Sequence, residues 1–119
     1  AVRTPEDDAA GVSQVFSLDE LPRFLSLCDY IVSVLPSTPN TRGLLAGDIL
    51  AACAPRRPVL INVGRGDVIP EGAILEALDQ GWLSHFVGDV YETEPLPPSS
   101  ALWTHPRVTV TPHISAVTQ

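Results

Sequence analysis

The chain has 119 residues, a hydrophobic fraction of 45%, a charged fraction of 18% and a formal net charge of −7. That is enough length for one domain with a single core, and the chain is too apolar to be read as disordered. The acidic balance argues against nonspecific nucleic-acid binding and against docking on an anionic membrane, and no apolar run approaches the roughly 20 residues that span a bilayer.

The N-terminal Ala1-Val2-Arg3-Thr4-Pro5 does not read as a signal peptide. The two cysteines, Cys28 and Cys53, lie in apolar, helix-like contexts without metal-ligand spacing. They are expected as small buried thiols in a reducing compartment, with the cytoplasm as the default location.

In chain order, Ala1-Val2 is strand-like and stops at Arg3, Pro5-Glu6-Asp7-Asp8 is a polar turn, and residues 12–16 alternate weakly, as a short strand would. Ser17 with Glu20 three residues on is a capping-box pattern, and Leu18, Leu21, Leu25 and Cys28 repeat at helical spacing. Pro22 falls beyond the first turn and is expected to delay the helix. Residues 30–35 form an apolar run that predicts a strand covered on both faces, ending in the loop 36–41. Residues 45–53 read as a short helix stopped by Pro55, and residues 59–63 as a second central strand. Pro70 opens the best helical pattern, with Ile74, Leu75 and Leu78 on one stripe and Gly81 at its end. A third strand is predicted over 86–90, a proline-rich loop over 96–100, a small turn at Leu102-Trp103 and a fourth strand over 108–111.

Apolar strands alternating with helices imply parallel βαβ units. The polar features follow strands: the loop 36–41, Arg65, Asp89 with Glu94, and His113. Parallel strands share one carboxyl edge, where ligands of open α/β sheets bind, so these residues can converge. An arginine there can clamp a carboxylate with its planar fork and polarise the adjacent carbonyl. A histidine can supply the proton that a forming alkoxide needs, and a nearby carboxylate favours its charged form. Singly, Arg65 could be an ion-pair partner, Glu94 a turn residue and His113 a cap. Together they are the parts for reducing an anionic carbonyl compound. Gly64-Arg65-Gly66 starts like a G-x-G-x-x-G phosphate loop but has Ile69 in the sixth position, so it is rejected as one. His85 and His105 are assigned structural or solvent roles, and no metal cluster is present in the sequence.

Four motifs in order resemble the D-isomer-specific 2-hydroxyacid dehydrogenases, in their nucleotide-binding domain. They are Leu35-Pro36-Ser37-Thr38-Pro39-Asn40-Thr41-Arg42-Gly43, Asn62-Val63-Gly64-Arg65-Gly66, Gly88-Asp89-Val90-Tyr91-Glu92-Thr93-Glu94-Pro95 and Thr111-Pro112-His113. Pro97-Pro98 with Leu102-Trp103 looks closest to the glyoxylate/hydroxypyruvate reductase branch. The resemblance implies an α/β fold, an incomplete Rossmann-like parallel sheet with flanking helices. It implies Arg65 as receptor for the substrate carboxylate and carbonyl, His113 as general acid and base, and Glu94 as its orienting partner. Asp89 and the Val63 carbonyl would hold the nicotinamide carboxamide, and the loop carrying Pro36 and Thr41 would lie along the adenine side. The cofactor is NADP or NAD; Arg3 stands where NAD-preferring members carry an acid and would meet a 2′-phosphate.

The resemblance further implies a small 2-oxoacid or 2-hydroxyacid as substrate, a homodimer, and no nucleic-acid or membrane partner. Residues 1–119 are expected to be a partial cofactor domain, with the first strand, the glycine-rich loop and the substrate lobe falling before Ala1. Such a chain is expected to be inactive alone. A non-catalytic NAD(H)-sensing or dimerisation module on the same fold is the alternative.

Overall fold

The computed structural model describes residues 16–111. Four strands, β1 (Tyr30–Ser33), β2 (Val59–Asn62), β3 (His85–Gly88) and β4 (Val108–Val110), form one parallel sheet in the order β1-β2-β3-β4. The connections carry helix α1 (Leu21–Ser26) ahead of β1, a 3-10 helix (Gly47–Cys53), helix α2 (Glu71–Asp79), and short 3-10 turns at Leu18–Glu20, Gly66–Val68 and Ala101–Trp103. No helix among them is long and apolar enough to cross a membrane.

The caps form where the residue types predict them. Glu20 Oε1 accepts the Ser17 N–H at 3.2 Å and the Ser17 hydroxyl at 3.3 Å. The turn they open is 3-10, and the α-helix follows from Leu21 with Pro22 in its first turn, so the proline does delay the helix. Phe16 packs edge-on against Phe24 with ring centroids 5.5 Å apart; the rest of the expected strand over 12–16 lies outside the described residues. Helix α2 ends in a Schellman motif: Trp82 N–H donates to Ala77 O at 2.8 Å, Gly81 N–H to Leu78 O at 3.2 Å, and Gly81 takes φ +79°.

The short helix expected over 45–53 forms as a 3-10 helix, Gly47–Cys53. Leu50 and Cys53, three residues apart and fully buried, point the same way at that spacing. One register row, Ile31, Leu60, Phe86 and Val108, runs across the sheet and faces α1, α2 and the 3-10 helix. Leu25, Leu78 and Leu83 close the core above it.

The expectation that the first strand is covered on both faces is corrected. Ile31 and Ser33 are buried, but Tyr30 is 70% exposed, Val32 58% and Val34 69%. Strand β1 is an edge strand of this sheet, and the described helices pack on one face only. An apolar run does not by itself mean two-sided burial; in β1 only alternate residues meet the core.

Candidate functional site at the carboxyl edge of the sheet

Ser33, Asn62, Gly88 and Val110 form the last paired row of the sheet. Just past it the chain ends are stitched to one another. Val63 N–H donates to Ser33 O at 3.0 Å, Asp89 N–H to Asn62 O at 3.0 Å, and Thr111 N–H to Gly88 O at 2.9 Å. Each strand therefore delivers its following residue to a fixed place on one edge.

Between β2 and α2, the turn carrying Arg65 is held from inside and from both sides. Asn62, 1% exposed, accepts the Gly64 N–H on Oδ1 at 3.2 Å and donates from Nδ2 to the Arg65 carbonyl at 3.1 Å. A Cβ on Gly64 would stand 2.6 Å from Leu35 N and O, and one on Gly66 would stand 1.9 Å from Tyr91 C and O. The glycines of Gly64-Arg65-Gly66 are thus there to let neighbouring backbones press on the turn, which agrees with rejecting the stretch as a phosphate loop.

Arg65 is exposed, in extended conformation, and its guanidinium touches only the carbonyl of its own neighbour, Gly64, at 3.0 Å. Every other described arginine is engaged further off. Arg23 pairs with Glu20, Arg42 with Asp67 and Arg56 with Asp29. Arg57 donates to Gly81 O at 3.0 Å and Arg107 to Leu78 O. Among the described residues, Arg65 is the arginine whose planar fork is not committed to an acid or to a distant carbonyl.

The loop after β1 folds on itself and is tied to the same turn. The Thr41 hydroxyl accepts the Thr38 N–H at 2.8 Å and donates to Pro36 O at 2.6 Å. Ser37 donates to Asp67 Oδ2 at 2.5 Å, and Gly43 N–H donates to Asp67 O at 2.8 Å. The Thr41 side chain thus shapes the loop, while exposed Pro36 stands at its entry.

Beyond β3, Asp89 is buried at 3% exposure and accepts the Thr111 hydroxyl. The Tyr91 hydroxyl donates to Gly88 O and lies 3.2 Å from Thr111 O. Burial pushes its pKa up to about 12, so it stays a neutral donor there. Glu94 is exposed and its Oε2 accepts the Tyr91 N–H at 3.4 Å. Glu92, in contrast, turns toward α2 and accepts the Glu71 N–H at 2.7 Å.

Arg65, Val63, Asp89, Glu94, Pro36 and Thr41 all lie in the connections that leave the carboxyl edge. Arg3 and His113 lie outside the described residues; His113 follows Thr111 by two positions. Three residues that sequence reasoning gave no role emerge as supports: Asn62, Asp67 and Tyr91. For Asn62 the signal was present, an Asn followed two residues on by glycine at a strand end. His85 meets Thr109 at 2.8 Å and His105 meets Asp79 at 3.4 Å, both away from this edge. A cleft of about 220 Å³ beside α2, lined in part by Ile74, Tyr91, Glu92 and Ser100, includes none of Arg65, Asp89 or Glu94.

The acceptors here fit the N–H side of the carboxamide of a nicotinamide dinucleotide. A carboxamide presents two N–H groups and a carbonyl, and this edge offers the buried Asp89 carboxylate beside the Val63 main chain. A parallel α/β sheet with such an edge is the architecture of dinucleotide-binding domains.

The chain belongs to the D-isomer specific 2-hydroxyacid dehydrogenase family, whose NAD binding domain model matches residues 2–115. It is similar to a D-isomer specific 2-hydroxyacid dehydrogenase from Xanthobacter autotrophicus Py2, solved with NADPH and MES, at 39% identity and TM-score 0.90 over 99% of this chain and 48% of that one. A phosphoglycerate dehydrogenase from Lactobacillus plantarum matches at 34% identity and TM-score 0.91 over 99% of this chain and 38% of that one. An NADPH-dependent glyoxylate/hydroxypyruvate reductase from Sinorhizobium meliloti matches at 38% identity and TM-score 0.88, over 98% of this chain and 47% of that one. The chain spans less than half the length of each of these structures.

Proposed function

We propose that this domain serves an oxidoreductase that interconverts a small 2-oxoacid and its D-2-hydroxyacid with NADP or NAD, with glyoxylate and hydroxypyruvate as the first substrates to test. The observation that carries the reading is the guanidinium of Arg65 on the carboxyl edge, bonded only to the neighbouring Gly64 carbonyl, in a turn that Asn62 ties to the main chain of the buried Asp89. The Sinorhizobium reductase similarity supports the substrate choice.

In this reading Arg65 takes the substrate carboxylate in two places and polarises the neighbouring carbonyl. His113 donates a proton to the carbonyl oxygen during reduction and recovers it during oxidation, and Glu94 holds the imidazole oriented and charged. Asp89 and Val63 orient the nicotinamide carboxamide, and the loop with Pro36 and Thr41 flanks the adenine side. The bound dinucleotide supplies the hydride for the carbonyl carbon. Arg3 meets the 2′-phosphate, which favours NADPH over NADH. A complete site of this kind also needs a glycine-rich phosphate loop and a substrate lobe. In the same reading the protein is a homodimer in the cytoplasm, a reducing compartment that suits the free thiols of Cys28 and Cys53.

The test is 2-oxoacid-dependent NAD(P)H oxidation by the full-length protein. Removing one charge-stabilising donor typically lowers turnover about 100- to 1000-fold, and His113→Ala and Arg65→Ala should each do so. Near-normal turnover in His113→Ala would sink the assignment.

A further inference from the structure

The Asn62 side chain is buried, both ends of its carboxamide are satisfied, and both bonds go to the turn that carries Arg65. The acceptor holds Gly64 N–H and the donor holds Arg65 C=O, so the amide bridges the peptide groups on either side of the Gly64–Arg65 link. The same residue's main-chain carbonyl accepts the Asp89 N–H at 3.0 Å. Gly64 is pressed on Leu35 and Gly66 on Tyr91, which leaves the turn little room to re-form in another shape. The direction in which Arg65 leaves the backbone is therefore set by this carboxamide from inside, with the two close backbone contacts on its flanks.

We propose that Asn62 is a positioning residue for the substrate carboxylate, acting through Arg65 by fixing the main chain on both sides of it. The proposal rests on the functional reading above, in which Arg65 is the carboxylate receptor. Asn62, 1% exposed, acts from behind the turn. Its contribution is the angle at which a planar, two-pronged donor meets a planar acceptor, and misplacement by an ångström can lower the rate about 100-fold.

A double-mutant cycle in the full-length protein tests this, read as kcat/KM for the 2-oxoacid and as the Kd of oxamate, a non-reactive isostere, in the presence of cofactor. Asn62→Ala should lower kcat/KM and weaken oxamate by about 30- to 100-fold, while the cofactor Kd stays within about twofold because the main-chain bond to Asp89 survives. On an Arg65→Ala background the same change should cost less than about threefold more. Losses that multiply would overturn the inference and leave Arg65 in place. An Arg65→Ala variant with normal activity would remove both this inference and the functional reading.

Asn62→Asp provides a second arm if Asn62→Ala does not fold. An ionised Asp keeps the acceptor for Gly64 N–H but loses the donor to Arg65 C=O, whereas a protonated Asp restores it. The activity of Asn62→Asp relative to wild type should therefore climb as pH falls, about tenfold over the titration of that carboxyl. A ratio that stays flat with pH, or an oxamate Kd equal to wild type at neutral pH, would overturn it.

Discussion

The Asp67 carboxylate accepts the Ser37 hydroxyl at 2.5 Å, across thirty positions of sequence, and so joins the loop after β1 to the turn after β2. Arg42 adds an ion pair to the same oxygen at 3.4 Å, and main-chain bonds from Gly43 and Leu45 to Asp67 and Val68 complete the seam. Two loops that leave different strands are thus one mechanical unit.

Breaking that unit should be felt first in the loop. Ser37→Ala removes a hydrogen bond to a charged acceptor, for which a loss of about 1–2 kcal/mol is expected in a thermal melt. Asp67→Ala removes the ion pair as well, but Arg42 is well exposed, so its added effect should be small. Hydrogen exchange should rise over residues 36–43 in both variants, and unchanged exchange there would refute the seam.

Gly66 and Gly72 make a matched pair of substitutions. Alanine at Gly66 would place its Cβ 1.9 Å from Tyr91 backbone atoms, which cannot yield as a side chain could. Gly66→Ala should cost about 3 kcal/mol or more. At Gly72, in the first turn of α2, a Cβ meets nothing within 4 Å. Gly72→Ala should stabilise by about 0.5–1 kcal/mol through helix propensity. Denaturant titration of both variants checks the opposite signs.

Helix α2 opens at Pro70, which has no side chain able to cap, and Glu92 supplies the missing acceptor from another loop at 2.7 Å from Glu71 N. Glu92→Ala should then behave as the loss of an N-cap, about 1 kcal/mol, while Glu92→Gln keeps an acceptor oxygen and most of the stability. Equal losses in the two variants would show that charge rather than the bond matters.

Alkaline pH should loosen the fold. Burial raises the Cys53 thiol from 9.0 to about 12, and burial likewise raises the Tyr91 phenol from 10.0 to about 12. Both are acids held protonated more tightly in the folded state, so their contribution is complete below the unfolded pKa and is lost as pH climbs through the folded one. Stability should hold level to about pH 9 and then decline, by up to about 1.4 kcal/mol per pH unit for each group titrating. Urea melts of Tyr91→Phe should flatten the part of the decline that begins near pH 10. A wild-type profile that stays level to pH 11 would contradict the assignment.

Much of this edge was legible in the sequence because its residues follow strands that read as strands. Arg65, Asp89 and Glu94 sit in the connections where the apolar runs placed them. Strand ends were read one or two residues too long, at Leu35, Val63, Val90 and Thr111, because apolar character reports burial rather than pairing. Val90 is 1% exposed yet lies beyond the ladder of β3. The open face of β1 was illegible for the same reason, since nothing in an apolar run says which neighbours are present. Glu92 as a cap for α2 was also out of reach: the two positions are 21 residues apart, and only the register of β2 with β3 brings them together.

The parallel sheet has a second edge, where the chain enters its strands, and the arginines there bond to neighbouring connections of the scaffold. Arg56 braces Asp29, Arg57 holds Gly81 O and Arg107 holds Leu78 O at the end of α2. None of the proposed site residues described lies on that side. An engineer who wants a dye, a surface tether or an inserted peptide on this domain has a whole rim to work with, provided the three arginines are left alone.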